Sequence, residues 1–265
     1  MTTLDEITIN GSANTASSLL DLHAVAMPEV KPTVAAGQDH ADGQAGRAPE
    51  GAELPEWMNG PCPSWCVMSR FHTDSTPYLA REHMGNSSVV WLTMEDHTEE
   101  GKCSPAPIDV TMFQHYRDVE PHLSFDIAYD DIPNLTMREG AELAAALAAL
   151  AATAEDAPGK TTGKAAAGRP YWLSGPCPPW CTAAHSDADA PEDRAHVGEW
   201  RQVTLTMEGP RADAQPQRIG VRLEQGWREV GARVVMASGG RHLNLALSEA
   251  RELSCDLDAH LASAR

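Results

Sequence analysis

The chain has few of the features by which several functional classes are recognised. Its 265 residues carry a formal net charge of −18, from 20 Lys and Arg against 38 Asp and Glu. A strongly acidic protein is repelled by phosphate backbones, which disfavours general nucleic-acid binding. No run approaches the roughly 18–20 apolar residues that a membrane-spanning helix needs. We therefore expect no membrane segment and no extended nucleic-acid partner.

Signal and catalytic motifs are lacking as well. Residues 1–10 are polar and acidic rather than basic and then apolar, so the sequence predicts a cytoplasmic protein. In that compartment, paired cysteines are more often metal ligands or redox groups than structural disulfides. No Gly-x-Ser-x-Gly, P-loop or Gly-x-Gly-x-x-Gly motif stands out. The zinc-deaminase pattern also fails, because the order of His and Cys is reversed. These absences disfavour an enzyme.

The sequence contains one unusual segment in two copies. Residues 57–66 return as residues 172–181, and both copies hold Gly-Pro-Cys-Pro-x-Trp-Cys. The match continues through a His-x-Asp pair and an Arg-x-His-x-Gly segment. With one two-residue length difference, twelve identities align between residues 57–85 and their counterparts. Self-similarity of this kind predicts two tandem repeats.

The repeat divides the chain into four predicted parts. Residues 1–54 are rich in small and acidic residues and predict a disordered acidic tail. Residues 55–152 form repeat module 1, and residues 170–265 form repeat module 2. Residues 153–169 between them, rich in Gly, Ala, Thr and Lys, predict a flexible linker.

Each module predicts strands followed by a helix. Apolar and polar residues alternate after each Cys/His segment, starting at the shared Leu-Thr-Met-Glu of residues 92–95 and 205–208. Period-two alternation indicates an antiparallel sheet with one buried face, here of about three strands. Thr136 to Glu139 is a capping-box pattern, and Leu253 and Leu257 lie at helical spacing. We predict an α+β fold in which each repeat has a Cys/His hook, this sheet and a C-terminal helix.

The Cys/His hooks predict two zinc sites. The spacings are Cys-x3-Cys-x5-His-x10-His and Cys-x3-Cys-x3-His-x10-His. Zinc favours four thiolate and imidazole ligands in a tetrahedron, and two thiolates neutralise the divalent ion. The predicted ligands are Cys62, Cys66, His72 and His83 in the first repeat, and Cys177, Cys181, His185 and His196 in the second.

Neighbouring residues fit the same prediction. Asp74 and Asp187, two residues beyond each first histidine, are placed to accept its second N–H. Glycines such as Gly85 and Gly198 are expected to allow unusual backbone angles. Two alternatives stay open: the Cys and His side chains pack a small tryptophan-rich subcore, or the paired cysteines form a redox dithiol. The sequence predicts no ligand role for Cys103 or Cys255, since neither has a counterpart in the other repeat.

These motifs resemble an uncharacterised family of small actinobacterial and actinophage proteins. The shared pattern is Gly-Pro-Cys-Pro-x-Trp-Cys, then His, then Arg-x-His-x-Gly, followed by strands and an acidic-start helix. The resemblance covers residues 55–152 and 170–265, and its most specific part is Cys-Pro-x-Trp-Cys at 62–66 and 177–181. It implies a fold module and a bound metal, and it implies no reaction.

Three functional hypotheses follow. The leading one is a non-enzymatic, zinc-stabilised binding or regulatory module that recognises a protein partner, in which the two repeats also pair with each other. The second is a metal-dependent hydrolase with an open zinc position and an Asp or His as base. The third is a DNA-binding regulator that uses the Arg-rich second repeat, and its predicted cationic face comprises Arg211, Arg218, Arg222, Arg228 and Arg233.

Overall fold

The computed structural model describes residues 54–99, 102–127, 130–156, 170–173, 175–207 and 216–265. These residues belong to one unit, Gln44–Arg265. The tail predicted at 1–54 and the linker predicted at 153–169 lie almost wholly outside them, except that residues 153–156 continue a helix. No helix among the described residues is long and apolar enough to cross a bilayer.

The first repeat forms a four-stranded antiparallel sheet in chain order. Its strands are β1 (Glu82–Glu99), β2 (Lys102–His115), β3 (His122–Ile127) and β4 (Asp130–Thr136). The alternation in the sequence marks the buried face of this sheet: Val90 and Leu92 are fully buried, and Trp91 between them is exposed. Two short 3₁₀ turns, Ser69–Phe71 and Tyr78–Ala80, lie in the Cys/His segment before the sheet.

The second repeat forms an equivalent sheet of five strands. They are β5 (Ala195–Val197), β6 (Arg201–Thr204), β7 (Arg218–Gly226), β8 (Arg233–Ser238) and β9 (Arg241–Leu245), all antiparallel. β5 and β6 both pair with β7, where the first repeat has the single long β1 beside β2.

The predicted α+β fold with antiparallel sheets and terminal helices is confirmed. Helix α1 spans Met137–Asp156 and helix α2 spans Leu247–Ser263. The first sheet has one strand more than the three that the sequence indicated, and the second sheet has two more. The last strand of each sheet, β4 or β9, was not predicted. The short, polar sequences of these two strands hide the alternation on which the strand prediction depended.

Both repeats contribute to a single hydrophobic core. Helix α1 contacts β3 and β4 of its own repeat and also β6, β7 and β8 of the other, while α2 contacts both sheets in the same way. The two helices also pack on each other, where the buried Ser254 hydroxyl donates to the Ala144 carbonyl oxygen at 2.9 Å. The central side chains include Ile108, Val110, Met112, Leu143 and Leu147 from the first repeat and Ile219, Val221, Leu223, Leu253 and Leu257 from the second.

One buried glutamate in each helix accepts hydrogen bonds from the opposite repeat. Glu139 of α1 is 0 % exposed, and its Oε1 accepts hydrogen bonds from the backbone N–H and the hydroxyl of Thr206, at 2.8 and 2.7 Å. Glu249 of α2 is 5 % exposed and accepts the same two bonds from Thr93, at 2.8 and 2.6 Å. The contact is reciprocal, as expected for two similar halves related by a pseudo-twofold axis.

The same glutamates also cap the first turns of their own helices. Glu139 Oε2 accepts from the Thr136 N–H at 2.9 Å while the Glu139 N–H donates to the Thr136 hydroxyl at 3.2 Å, which confirms the predicted capping box. Burial alone would raise the pKa of Glu139. The bonds from Thr206 and Thr136 outweigh burial, so its pKa lies below the ordinary value.

The Glu139 contact predicts a loss of stability in a Glu139→Gln variant. The amide keeps one acceptor oxygen but turns an N–H₂ group toward a backbone donor and removes the charge that strengthens these bonds. We expect the free energy of unfolding, measured by urea denaturation at neutral pH, to fall by about 1–3 kcal/mol.

The pH dependence provides the control. Because the folded-state pKa of Glu139 is depressed, its contribution is present above the ordinary glutamate pKa and is lost as pH falls through the folded value. The stability gap between wild type and Glu139→Gln should therefore narrow in acid. Glu142→Gln, at an exposed position of α1 where Glu142 forms a surface ion pair with Arg138, should behave as wild type. A gap that widens in acid would contradict the assignment.

Candidate metal centres

Each centre is built by a tight cysteine turn and the start of a sheet. The Cys66 N–H donates to the Pro63 carbonyl at 3.0 Å, and the Cys181 N–H donates to the Pro178 carbonyl at the same distance. This turn brings both thiols of a repeat to one side. The second histidine of each set lies at the first strand of its sheet, His83 in β1 and His196 in β5.

The structure brings all eight predicted ligands together in two groups of four. In each group, one candidate ligand atom per residue lies within 4.8 Å of the others. In the first centre, Cys62 Sγ lies 3.5 Å from His83 Nδ1 and 3.8 Å from His72 Nδ1. In the second, Cys181 Sγ lies 3.4 Å from His185 Nε2. No disulfide joins the cysteines within these described groups.

The donor set fits a tetrahedral metal ion. Two thiols and two imidazoles within a few ångströms of one another are a donor set that could hold a metal ion. An unsatisfied atom supports the fit: His196 Nδ1 is buried and has no hydrogen-bond partner among the described residues, which is costly unless a ligand occupies that position. In the first centre, His72 Nε2 lies 3.1 Å from the Glu82 carbonyl oxygen. Donation to that carbonyl favours the tautomer that leaves Nδ1 available to a metal.

Tryptophan rings pack on the histidines in the same way in both centres. The Trp57 ring meets His72 edge-on at 5.3 Å between centroids, and Trp172 meets His185 at 5.2 Å. Each indole N–H donates to a backbone carbonyl, of Thr73 or of Ser186, at 2.8 Å. Trp65 and Trp180 likewise pack on His83 and His196. The candidate metal ligands therefore lie in the tryptophan-rich subcore that the sequence offered as an alternative.

The two aspartates anchor the start of each module. Asp74 Oδ1 accepts from the Glu56 N–H at 2.7 Å, and Asp187 Oδ1 accepts from the Tyr171 N–H at 2.8 Å. Neither is the histidine contact that the sequence suggested. For His72 the carbonyl of Glu82 makes that contact.

The glycines act through close packing and not through unusual backbone angles. The described glycines with positive φ are Gly239 and Gly240. A Cβ on Gly85 would lie 3.3 Å from Met112 Cβ, and one on Gly198 would lie 3.4 Å from the carbonyl oxygens of Trp180 and Leu223. The expectation of special angles at Gly85 and Gly198 is wrong, because the neighbouring strand and turn approach these positions closely.

Burial sets the protonation states of the metal-free ligands. Burial, together with the nearby His72, lowers the pKa of His83 to about 4. Burial also lowers the pKa of His72 and, with His185, that of His196. Burial and the adjacent Cys66 raise the pKa of Cys62 to about 12. Near neutral pH the imidazoles of His72, His83 and His196 are thus ready to bind a metal, whereas the Cys62 thiol must first lose a proton.

The sequence indicated Arg228 only as part of a cationic face, and it did not indicate Arg117 or the rings beside each centre. Arg117 lies over the rings of Tyr78 and Tyr116, and Arg228 lies over the ring of Trp227. The signal in the sequence is an aromatic-Arg pair directly after β2 and directly after β7, at 116–117 and 227–228.

Comparisons with known proteins identify the family. A family model described as "Domain of unknown function (DUF6907)" matches residues 47–163 and again residues 160–265. The chain therefore belongs to this family and contains two copies of its domain. No curated protein and no solved structure matches the chain.

Proton release tests the first centre directly. Because the Cys62 thiol is protonated near neutral pH, zinc binding at this centre must displace its proton. Isothermal titration of metal-free protein in buffers of different ionisation enthalpy should show proton release on zinc binding.

The matched comparison uses a Cys62→Ala variant and a Cys255→Ser control. Cys255 is exposed on α2 and belongs to neither ligand group. The control should release as many protons as wild type, and Cys62→Ala should release at least one fewer per chain. Equal release by Cys62→Ala and wild type would contradict a thiolate ligand at this position.

Proposed function

We propose that this two-copy member of the DUF6907 family is a non-enzymatic binding or regulatory module in which two zinc ions stabilise the surfaces that recognise a protein partner. The observation that carries the proposal is the pair of matching Cys₂His₂ groups, each with its ligand atoms within 4.8 Å of one another. A zinc ion held by these four side chains would cross-link the cysteine turn to the first strand of the sheet.

The donor set favours a structural role for the metal. A catalytic zinc leaves one position to water or substrate, whereas four side-chain donors complete a tetrahedron. The hydrolase hypothesis also needs a base, and the carboxylates of Asp74 and Asp187 each accept a hydrogen bond from the backbone. Both features make the hydrolase the weaker candidate.

The charge pattern of the second repeat disfavours the DNA-binding alternative. Arg222 and Arg233 both pair with Glu224, at 2.8 and 2.6 Å. Arginines paired in this way add little to a phosphate-binding face, and the net charge of −18 opposes one. Arg211 of the predicted face lies outside the described residues.

The reduced thiols of the ligand set suit the cytoplasm, where cysteines stay available to metals. A module without an enzymatic site acts through its surface. Two copies in one folded unit provide two similar surfaces, which suits recognition of a partner at two points.

Metal content is the first test. Protein purified without added metal or chelator should contain two zinc ions per chain, measured by inductively coupled plasma mass spectrometry. A Cys177→Ser/Cys181→Ser variant and a Cys62→Ser/Cys66→Ser variant should each contain one. The Cys255→Ser control should retain two. Wild-type protein without metal would overturn the proposal and leave a packed Cys/His/Trp subcore or a thiol switch.

The two centres should differ in how fast they release zinc. Cys66 of the first centre is 5 % exposed, whereas Cys181 at the same position of the second is half-buried and Cys177 is exposed. A chelator reaches exposed ligands first, so we expect the second centre to lose its ion earlier.

Release is followed with a chromogenic chelator in excess. Wild type should show a fast and a slow phase, and the variants assign them: Cys177→Ser/Cys181→Ser should keep the slow phase alone, and Cys62→Ser/Cys66→Ser the fast phase alone. The reverse assignment would show that thiol exposure does not control release here.

A further inference from the structure

We infer that each half carries a carboxylate-binding patch beside its metal centre, and that the two patches receive acidic segments of one protein partner. This inference rests on the proposed function and names the surface and the partner chemistry that the module uses. The first patch comprises Tyr78, Tyr116 and Arg117. The second comprises Tyr171, Arg194, Trp227 and Arg228.

The first patch is an arginine resting on two rings. The Arg117 guanidinium carbon lies 4.8 Å from the centroid of Tyr78 and 5.2 Å from that of Tyr116. The two rings meet edge-on at 5.8 Å. Arg117 is exposed, and Tyr78 is 45 % exposed. The group is therefore ordered by its own contacts and open to solvent.

The second patch also combines arginine with aromatic rings, but it has two arginines, and a tryptophan stands in place of one tyrosine. Arg228 lies 4.3 Å above the Trp227 ring, and Arg194 lies 5.2 Å from the Tyr171 centroid and 5.7 Å from the Trp227 ring. Arg194 Nη2 also donates to the Tyr171 hydroxyl at 2.6 Å. Tyr171 is nevertheless 72 % exposed, which leaves most of its surface for a ligand.

Some residues of the two patches occupy equivalent positions in the two repeats, and others do not. Tyr116 and Trp227 occupy equivalent positions, since their backbone N–H groups donate to the carbonyls of Arg81 and Arg194 at 3.0 and 2.8 Å. Tyr78 and Tyr171 are not equivalent: one lies in the second 3₁₀ turn, the other precedes the tryptophan of the motif. Duplication alone therefore does not account for a tyrosine in both patches.

Stacking leaves the arginines suited to a carboxylate. Arg222 elsewhere in the protein lies 4.4 Å over the Trp200 ring and at the same time pairs with Glu224 at 2.8 Å, and Arg117 and Arg228 likewise lie on rings. A guanidinium stacked by its face keeps its N–H edge available for a bidentate carboxylate, and the ring restricts its motion beforehand. The exposed rings offer apolar contact to residues beside the carboxylate.

Charge favours a peptide over a nucleic acid at these patches. Duplex DNA carries a charge every ~1.7 Å along its axis, so its repulsion by a net charge of −18 exceeds its attraction to the three arginines of the patches. An acidic peptide segment carries only a few carboxylates, so the same net charge repels it less. Two patches in one unit would bind two such segments of a partner at once.

Ring contacts connect the first patch to its metal centre. The Trp57 ring lies 5.3 Å from His72 and 6.1 Å from Tyr116. Zinc that fixes His72 thus also fixes the ring under Arg117. In the second half, Asp187 lies two residues after His185 and accepts a hydrogen bond from the backbone N–H of Tyr171. Metal removal should accordingly weaken peptide binding.

The test measures binding of a defined peptide to the full zinc-loaded chain. The probe is a fluorescein-labelled peptide of alternating Glu and Tyr, and its comparison replaces every Glu by Gln. Fluorescence anisotropy should show binding of the Glu peptide at least ~10-fold tighter than of the Gln peptide. Arg117→Gln and Arg228→Gln should each weaken binding by roughly 3- to 10-fold, and the double variant should lose it.

Matched controls separate these arginines from charge in general. Arg138→Gln and Arg218→Gln remove exposed arginines outside the patches and should bind as wild type. An Arg117→Lys/Arg228→Lys variant keeps the charge but loses the planar group, so it should bind more weakly than wild type. Equal binding of both peptides, or full binding by the Arg117→Gln/Arg228→Gln variant, would overturn the inference.

Two further measurements on the same samples separate the possible failures. Two zinc ions per chain without peptide binding would contradict the proposed patches but not the proposed zinc sites. Peptide binding that persists without zinc would keep the patches and overturn the link to the metal. Tighter binding of a labelled oligo(dT) than of the Glu peptide, lost in the double Gln variant, would replace the acidic peptide by a nucleic acid.

Discussion

The reciprocal contacts of Glu139 and Glu249 constrain everything else in this protein. Each carboxylate caps the first turn of its own helix and also accepts two hydrogen bonds from a threonine of the other repeat, Thr93 in β1 or Thr206 just after β6. Burying a carboxylate is costly unless its oxygens are satisfied, so each half supplies what the other half's glutamate requires. Neither helix can leave the opposite sheet without exposing an unsatisfied threonine N–H or glutamate oxygen. The two repeats therefore behave as one folded unit with one core.

That shared core leaves the Cys/His segments to be stabilised differently. They precede the sheets, and much of their backbone is irregular, apart from short 3₁₀ turns. Trp57 and Trp172 are the buried side chains that attach them, and their indole N–H groups hold the loops that carry the first histidines. A metal ion at each centre would cross-link the same loops to the first strand of each sheet. The ring packing and the ligand set thus act on the same segment.

The sequence was most informative where spacing determines geometry. Alternation located the buried faces of β1, β2 and β7, the capping box located the start of α1, and the duplicated ligand spacing located both metal groups. It could not show the Glu139–Thr206 contact, because a capping-box glutamate looks the same whether its second oxygen meets water or another repeat. Nor could it place Arg117 over Tyr78, since these residues are 39 positions apart and meet only once the sheet forms. The roles of Asp74 and Gly85 differ from those expected from the sequence for the same reason, because each role depends on a neighbour that is distant in sequence.

The differences between the halves bear on function as much as their likeness. The core contacts, the ring packing and the turn geometry repeat to within a few tenths of an ångström, as selection for one fold would require. The halves diverge in the loop before the first histidine, in the exposure of their thiols and in the source of the patch tyrosine. These differences lie on the surface around the metal centres and not in the core. A partner in contact with both patches would therefore meet two similar but distinguishable surfaces, and so could bind in one orientation rather than two.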